Sequence, residues 1–422
     1  MLVRGGRVID PAQGFDRIAD VRVRNGAIAE VGEHLAPEAL EEIFDATNAV
    51  VAPGFIDMHV HLREPGNTDK ESIATGAAAA AAGGFCAVAA MPNTQPAIDC
   101  IEALKTVLHL ARTAAVRVYP IAAVTKGRLG QELLDYEALF RAGAVAFSDD
   151  GSTIGDANTV RRAALAAAQT RGCFISHCED ASLKSTAVMH DGETARALGV
   201  PGSPSLAEDI MVARDLLIAR ETGKSWHIAH ASTAGSVELI AWMRSAGGAA
   251  TCEVTPHHLL LHDDRVRALG SHAKVNPPLR SPADSRALRD AVRNGTVDAF
   301  ATDHAPHTAA EKDADLACGA VGFSGLEIAV GAYALAVPDL PLERFVRLLS
   351  TNPARILGIP GGTLRVGAPA DITIFADRPW TVDARRFHSK GKSTPFDGVS
   401  LPRRAVATIV AGRIAMNDGV VA

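Results

Sequence analysis

Apolar positions alternate with polar ones near both ends of the chain and follow a different pattern between them. The alternating runs lie at 2–4, 7–9, 20–23, 27–31, 371–375, 405–410 and 413–416. Glycine-containing turns separate several of them, namely Gly5-Gly6, Asn25-Gly26 and the turn at Gly412. Such turns between alternating runs are typical of β-hairpins. We therefore predict that residues 1–52 and 362–422 pair into one small β-sandwich domain.

Residues 53–361 repeat a unit in which a short apolar run ends in polar residues and an alanine- and leucine-rich stretch follows. Eight such runs end near His61, Pro92, Thr125, Asp150, His177, His230, Thr255 and Asp303. The stretches between them have helical character, for example at 101–111, 160–171, 206–222 and 236–246. Strands that alternate with helices predict a parallel sheet, and eight units predict its closure into a (β/α)₈ barrel of the TIM type.

A doubly wound open sheet is the alternative fold. Such sheets often carry a Gly-x-Gly-x-x-Gly turn that binds phosphate after the first strand, and no run here ends in that motif. We therefore expect the barrel, in which catalytic side chains lie at the carboxyl ends of the strands.

Composition and charge exclude other classes of protein. Hydrophobic residues make up 47% of the chain and charged residues 21%, an ordinary globular balance. The 42 lysines and arginines against 48 aspartates and glutamates give a net charge of −6, which provides no basic footprint for nucleic acid or for an anionic membrane surface. None of the six cysteines forms a Cys-x-x-Cys pair, and no apolar signal sequence opens the chain. We expect reduced, mostly buried thiols in a cytoplasmic protein.

The first apolar run of the middle region carries the pair His59 and His61. Residues two apart in a strand point to the same side, so both imidazoles would enter one space, as two ligands of a single metal ion do. Imidazole suits Zn²⁺ and several other transition-metal ions. The pair is a weak signal alone, because two surface histidines give the same pattern.

Polar residues at other strand ends strengthen the metal interpretation. A barrel would bring them to one mouth, where burial without an ion would be costly. The candidate ligands are His59, His61, Asp150, His177, His230 and Asp303. His227 and His230 lie three apart, so an extended strand would turn them to opposite faces, and we expect His227 to face the helices. Asp149 and Asp150 are neighbours in sequence, so an extended strand would likewise direct only one of them toward the metal site.

Several motifs resemble those of bacterial class I dihydroorotases. The resemblance opens with Asp57-Met58-His59-Val60-His61-Leu62-Arg63-Glu64-Pro65-Gly66 and includes Thr302-Asp303-His304-Ala305-Pro306-His307. Further matches lie at 91–94, 148–151, 177–180, 275–280, 352–355 and 367–371, so the resemblance runs from about residue 1 to about residue 415. His-x-His and the final aspartate are shared by the wider amidohydrolase superfamily, whereas the segments at 63–66 and 302–307 are more specific.

The resemblance implies a centre with one or two Zn²⁺ ions per subunit. His59, His61 and Asp303 would bind one metal ion, and His177 and His230 would bind a second. Asp150 would stand between them, where hydantoinases and other dihydroorotase classes have a carbamylated lysine. Spacing to His177 favours Asp150, with Asp149 as the fallback.

The resemblance also implies a pocket for a carboxylated ring. Its residues would be His61, Arg63, Asn93, Asn276, His307, Val321 and Gly322. Arg63, Asn93 and His307 would bind the α-carboxylate, and the planar guanidinium of Arg63 suits a bidentate contact. Asn276 would hold the ring amide, and backbone groups of Val321 and Gly322 would complete the pocket. Asp303 would take a proton from water and return it to the ring nitrogen.

The implied activity is the reversible cyclisation of N-carbamoyl-L-aspartate to L-dihydroorotate and water in de novo pyrimidine biosynthesis. The resemblance further suggests a homodimer or a complex with aspartate carbamoyltransferase. One alternative is a cyclic amidase of the hydantoinase or allantoinase type. Another is a non-catalytic, dihydroorotase-like scaffold of the transcarbamoylase, in which metal ligands are lost. Every ligand position is filled here, so we expect an active enzyme.

Overall fold

The computed structural model describes all 422 residues. Its strands are β1 (Leu2–Asp10), β2 (Phe15–Arg24), β3 (Ala27–Gly32), β4 (Ile43–Asp45), β5 (Val50–Pro53), β6 (Phe55–Val60), β7 (Phe85–Ala90), β8 (Arg117–Pro120), β9 (Ala146–Phe147), β10 (Cys173–Ser176), β11 (Met189–His190), β12 (Gly202–Ser203), β13 (Trp226–Ile228), β14 (Thr251–Val254), β15 (Ala299–Phe300), β16 (Ile372–Ala376), β17 (Trp380–Thr381), β18 (Ser400–Leu401), β19 (Arg404–Val410), β20 (Arg413–Asn417) and β21 (Val420–Val421).

The α-helices are α1 (Ile73–Gly83), α2 (Ile101–Ala111), α3 (Tyr136–Arg141), α4 (Ala157–Ala166), α5 (Ala181–Lys184), α6 (Glu193–Leu198), α7 (Leu206–Thr222), α8 (Ala234–Ser245), α9 (Pro256–Leu260), α10 (Arg265–Leu269), α11 (Pro282–Asn294), α12 (Ala309–Lys312), α13 (Ala329–Ala336), α14 (Leu342–Val346) and α15 (Asn352–Leu357). None of them combines the length and the apolar character needed to cross a membrane.

Eight parallel strands form a closed barrel. Strands β6, β7 and β8 pair in that order, and so do β9, β10, β13, β14 and β15. Parallel bridges from Ala122 to Phe147 and from Val60 to His304 join the two groups at both edges. The predicted (β/α)₈ barrel is therefore confirmed.

Side-chain size separates the inside of the barrel from its outside. Aliphatic side chains fill the interior, mostly alanine, methionine and isoleucine, among them Met58, Ala89 and Ile175. Larger aromatic side chains pack between the strands and the helices, as Phe300 does where its ring stacks on Tyr333 with centroids 3.9 Å apart. This arrangement supports a rigid barrel whose polar strand ends remain free for chemistry.

Two helices start earlier than predicted because polar side chains cap them. The predicted spans 101–111 and 206–222 coincide with α2 and α7. Helix α4 begins before the predicted residue 160 because the Asp156 carboxylate accepts a hydrogen bond from the Thr159 amide. Helix α8 begins before the predicted residue 236 because the Thr233 hydroxyl accepts one from the Ser236 amide.

Both ends of the chain build one nine-stranded sheet. Its order is β21-β20-β19-β16-β5-β1-β2-β3, with β4 also paired to β1. Strand β5 joins the two ends, because it runs antiparallel to β16 and parallel to β1. The sheet folds over a hydrophobic core of its own, to which Val8, Val21, Ile372 and Ile409 contribute. All six cysteines are free thiols, and two of them, Cys100 and Cys318, are exposed.

Candidate active site

Six buried side chains meet where the barrel strands end. His59 and His61 come from the end of β6, and the others follow β9, β10, β13 and β15: Asp150, His177, His230 and Asp303. Five of them form two groups that share Asp150, one with His59 and His61 and the other with His177 and His230. The sixth, Asp303, lies beside His61. The structure thus brings all six predicted ligands to one place.

The distances within this cluster suit metal ligands. Asp150 Oδ1 lies 3.4 Å from His59 Nε2 and 3.4 Å from His230 Nε2. His61 Nε2 lies 3.5 Å from Asp150 Oδ2 and 3.0 Å from Asp303 Oδ1. Two ligand atoms on one tetrahedral Zn²⁺ lie about 3.4 Å apart when each bond is about 2.0–2.1 Å.

Unpaired buried atoms provide a second test of the fit. His59 Nε2 and Asp150 Oδ1 are buried, face each other and make no hydrogen bond. Leaving such atoms unpaired in a protein interior is costly, whereas a divalent cation between them would satisfy both. The cluster therefore fits a divalent metal centre.

The two neighbouring aspartates face different ways. Asp149 accepts hydrogen bonds from the Val124 amide (2.8 Å), the Thr125 amide (3.1 Å) and the Thr125 hydroxyl. These contacts tie its carboxylate to the loop after β8. Asp150 is therefore the aspartate whose carboxylate lies among the histidines.

Glu253, on β14, lies beneath the cluster and was missed by sequence reasoning. It accepts hydrogen bonds from His59 Nδ1 (2.6 Å), His227 Nε2 (3.1 Å) and the His230 amide (3.2 Å). Burial alone would raise the pKa of Glu253, but His59 and His227 hold it well below its usual range. Because His59 donates its Nδ1–H to Glu253, its Nε2 is the atom left to bind a metal ion. A lone carboxylate inside the apolar run Thr251-Cys252-Glu253-Val254 was the available signal.

The prediction that His227 faces the helices is wrong. Trp226 and Ile228 pack outward in the main core, and His227 points into the barrel toward Glu253. His230 still reaches the cluster because it lies beyond the end of β13 and has a φ of 31°. The assumption of one extended strand through both histidines therefore failed.

Three residues at the strand ends have left-handed backbone conformations that non-glycine residues rarely adopt. Their φ angles are 60° at Arg63, 31° at His230 and 49° at Asp303. Such conformations are unfavourable and persist where the surrounding structure requires them, often at functional sites. Here they mark the turns that direct side chains into the barrel mouth.

Arg63, Asn93 and His307 form a polar group beside the cluster. His61 Nδ1 lies 2.8 Å from Asn93 Oδ1, and Arg63 Nη2 lies 3.2 Å from His307 Nε2. Arg63 also donates through Nε to the Pro306 carbonyl (3.3 Å). Burial and the charge of Arg63 lower the pKa of His307 to about 3, so this imidazole is neutral. Arg63 forms no ion pair with a carboxylate of the protein, so its charge is available to an anionic ligand.

The remaining predicted pocket residues lie around this mouth. Asn276 Nδ2 donates to Glu179 Oε2 (3.0 Å) and lies 3.1 Å from His177 Nε2. The Val321 carbonyl accepts a hydrogen bond from His307 Nε2 (2.9 Å), while the Val321 side chain is 46% exposed. The Gly322 amide donates to the Lys274 carbonyl (2.9 Å). His307 Nε2 therefore lies between the Val321 carbonyl, to which it donates, and Arg63 Nη2.

An eight-stranded barrel with a buried cluster of four histidines and two aspartates at its mouth defines a class: the metal-dependent hydrolases of the amidohydrolase type. Comparison with known proteins agrees. A family model described as "Dihydro-orotase-like" matches residues 48–236, and one described as "Amidohydrolase family" matches residues 211–416.

Relatives match along the whole chain. A dihydroorotase of Pelotomaculum thermopropionicum is 47% identical over 100% of this chain and 99% of its own length. One of Anaeromyxobacter dehalogenans is 48% identical over 98% and 97%, respectively. The chain belongs to the dihydroorotase family. Among solved structures, the L-hydantoinase of Arthrobacter aurescens matches with a TM-score of 0.90 at 25% identity, over 100% of this chain and 97% of that one.

Proposed function

We infer that this protein is a dihydroorotase, which reversibly converts N-carbamoyl-L-aspartate to L-dihydroorotate and water in pyrimidine biosynthesis. One observation carries the assignment: an arginine without a carboxylate partner, Arg63, lies beside His307 at the edge of a cluster that fits a metal centre. A cyclic amide with one carboxylate matches both halves of this site. Membership of the dihydroorotase family supports the same conclusion. We propose class I within that family, because the motifs around Arg63 and Asp303 resemble those of class I members.

Two divalent ions, which we propose to be Zn²⁺, would be held by the two groups that share Asp150. His59, His61 and Asp303 would hold one, and His177 and His230 the other. When bound, such ions polarise an amide carbonyl and lower the pKa of water. Glu253 would fix the orientation of His59 from behind.

Asp303 would carry the proton. Burial opposes its ionisation, but the hydrogen bond from His61 and the charges of His59 and His61 lower the pKa of Asp303 to about 2. It is therefore ionised at neutral pH. In the hydrolytic direction its carboxylate would accept the proton of the attacking water and deliver it to the leaving ring nitrogen. Such acid–base assistance typically contributes about 10²–10⁴-fold to the rate.

Arg63, Asn93 and His307 would bind the substrate's α-carboxylate. The Arg63 guanidinium offers a planar pair of donors, a geometry that suits a bidentate contact to a carboxylate. Asn276 would approach the ring amide from the His177 side. Backbone groups at 321–322 would line the opposite wall, next to His307.

The hydantoinase or allantoinase alternative has less support. Its fold is the same, but those enzymes act on rings without the carboxylate that Arg63 would recognise. Asp150, where hydantoinases carry a lysine, also argues against it. A non-catalytic scaffold is disfavoured because each ligand position is occupied by a histidine or an aspartate.

Steady-state kinetics of the zinc-loaded protein with L-dihydroorotate, hydantoin and allantoin test the assignment. We expect the largest kcat/KM for L-dihydroorotate. In Arg63→Met the KM for L-dihydroorotate should rise about 10–100-fold, because a charge-assisted contact contributes about 1.5–3 kcal/mol. The control is Arg161→Met, whose exposed arginine pairs with Glu221 far from the site. A higher kcat/KM for hydantoin or allantoin would reject the assignment.

We also propose that the protein acts in the cytoplasm as a homodimer and can associate with aspartate carbamoyltransferase. These associations are what the resemblance of the motifs to class I dihydroorotases implies. Light scattering of the purified protein, alone and mixed with the transcarbamoylase, tests both associations. A monomer that stays separate under both conditions would contradict them.

A further inference from the structure

A segment near the carboxyl terminus, residues 388–393, crosses from the terminal region to the barrel mouth, and we call it the strap. Its Ser389 hydroxyl donates to Glu71 Oε2, and its Lys390 Nζ donates to the Thr68 carbonyl (2.5 Å). Glu71 and Thr68 lie in the loop that follows β6. The strap is therefore anchored to the loop that also carries Arg63.

A second set of contacts anchors the strap to the segment that follows β15. The Ser324 hydroxyl donates to the Gly391 carbonyl (2.7 Å), and the Ser324 amide donates to the Ser393 carbonyl (2.9 Å). Glu71 connects the strap to the end of β15 as well, because its Oε2 lies 3.3 Å from His304 Nε2. His304 directly follows Asp303. The strap thus connects the first and last barrel loops on the side where Arg63 and His307 lie.

Gly391 packs directly against the backbone next to His307. A Cβ at this position would lie 2.6 Å from Pro306 Cβ, 3.0 Å from Pro306 Cα and 3.1 Å from the His307 amide nitrogen. The obstacle is backbone and a proline ring, so an added methyl group must displace the Pro306–His307 peptide. Pro306 matters because its carbonyl accepts the hydrogen bond from Arg63 Nε.

We propose that the strap positions the pair Arg63 and His307 for recognition of the substrate's carboxylate, with Gly391 as its point of contact. The residues of the strap are positioning residues, since they bond to Glu71, Thr68 and Ser324 and not to the metal cluster or to the side chains of Arg63, Asn93 and His307. The inference rests on the proposed function and deepens it, because it assigns substrate specificity to a segment more than 300 residues away in sequence from Arg63 (391 against 63).

Gly391→Ala in the zinc-loaded enzyme tests the proposal. We expect the KM for L-dihydroorotate to rise about tenfold or more with little change in kcat, since small displacements of a positioning group are costly. Zinc content and thermal midpoint should remain those of the wild type. Partial misfolding would instead lower kcat through the active fraction and leave KM unchanged. Gly155→Ala is the matched control, because a Cβ there would meet nothing within 4 Å.

Ser324→Ala provides a second variant that adds no bulk and removes the hydrogen bond to the Gly391 carbonyl. We expect a smaller rise in KM in the same direction. If Gly391→Ala does not fold, the KM of Ser324→Ala decides the question. An unchanged KM in the folded variants, with an active wild type, overturns the role of the strap. An inactive wild-type enzyme would instead count against the proposed function.

Discussion

At the scale of single residues, the site combines side chains that follow the ends of the barrel strands with buried groups that hold them in place, such as Glu253 beneath His59. A polar residue after an apolar run indicates the mouth of a barrel, which is why His177 and Asp303 could be placed from sequence. The position of Glu253 depends on neighbours from β6 and β13, which are far apart in sequence. The orientation of His230 depends on a backbone turn that no hydrophobic pattern encodes.

Asp303→Asn tests the proposed proton carrier. The amide keeps the size of the side chain and an oxygen toward His61, but it cannot accept the proton of water. We expect kcat to fall by about 10²–10⁴-fold or more, while circular dichroism and most of the zinc content are retained. Asp290→Asn, an exposed residue on α11, is the control. Wild-type turnover in Asp303→Asn would remove this residue from the mechanism.

Glu253→Gln tests the support beneath the metal centre. Both carboxylate oxygens of Glu253 accept N–H donors, so an amide would turn its own N–H toward one of the two histidines. Loss of such outer contacts typically lowers metal affinity about 10–100-fold. Competition with a zinc chelator measures this affinity directly. Glu221→Gln, in an exposed ion pair, should leave it unchanged, and equal affinities in the two variants would contradict the role of Glu253.

At the scale of elements, regular periodicity made helices α2 and α7 predictable to the residue. Local capping moved the start of α4 and α8, because Asp156 and Thr233 bind free amides ahead of the apolar pattern. The strap has no periodic pattern, and its place depends on hydrogen bonds to loops that are distant in sequence. Nothing in its composition predicted contact with the barrel mouth.

His388 anchors one end of the strap, and the stability that it contributes should depend on pH. His388 Nδ1 lies 3.0 Å from Glu327 Oε2, and this hydrogen bond raises the pKa of His388, opposed by partial burial and by Lys392. Charged His388 therefore stabilises the folded protein fully below its unfolded-state pKa of about 6.5. This stabilisation is lost as pH rises through the higher pKa that His388 has in the folded state. In urea unfolding, His388→Asn should lose more stability at pH 6 than at pH 9. If His388→Asn lowers the free energy of unfolding by the same amount at pH 6 and at pH 9, His388 is not charged in the folded protein.

At the scale of the whole molecule, the pairing of the two chain ends followed from their alternating runs, while the strand order did not. The sheet also packs on the barrel through specific polar contacts. The Phe55 amide donates to the Thr373 hydroxyl (2.9 Å), which donates to the Gly84 carbonyl (2.7 Å). Arg117 and Asp371 add an ion pair of 2.6 Å across the same boundary. We therefore expect the sheet and the barrel to unfold together.

Thr373→Val tests this connection. Valine keeps the shape of threonine but leaves the buried Phe55 amide and Gly84 carbonyl without partners. An unpaired buried group costs about 1–3 kcal/mol, so the free energy of unfolding should fall by about 2–4 kcal/mol. Urea unfolding of Thr373→Val, with exposed Thr381→Val as the control, measures the difference. Equal effects of the two substitutions would contradict the structural role of Thr373.

A zinc titration of metal-free protein, in which L-dihydroorotate hydrolysis is followed, tests directly whether this protein is a metal-dependent dihydroorotase. The buried His/Asp cluster predicts a folded protein without turnover before zinc is added, and a rate that rises to a plateau at two ions per chain. Turnover of L-dihydroorotate at the same rate in metal-free and zinc-loaded protein would contradict a metal-dependent dihydroorotase.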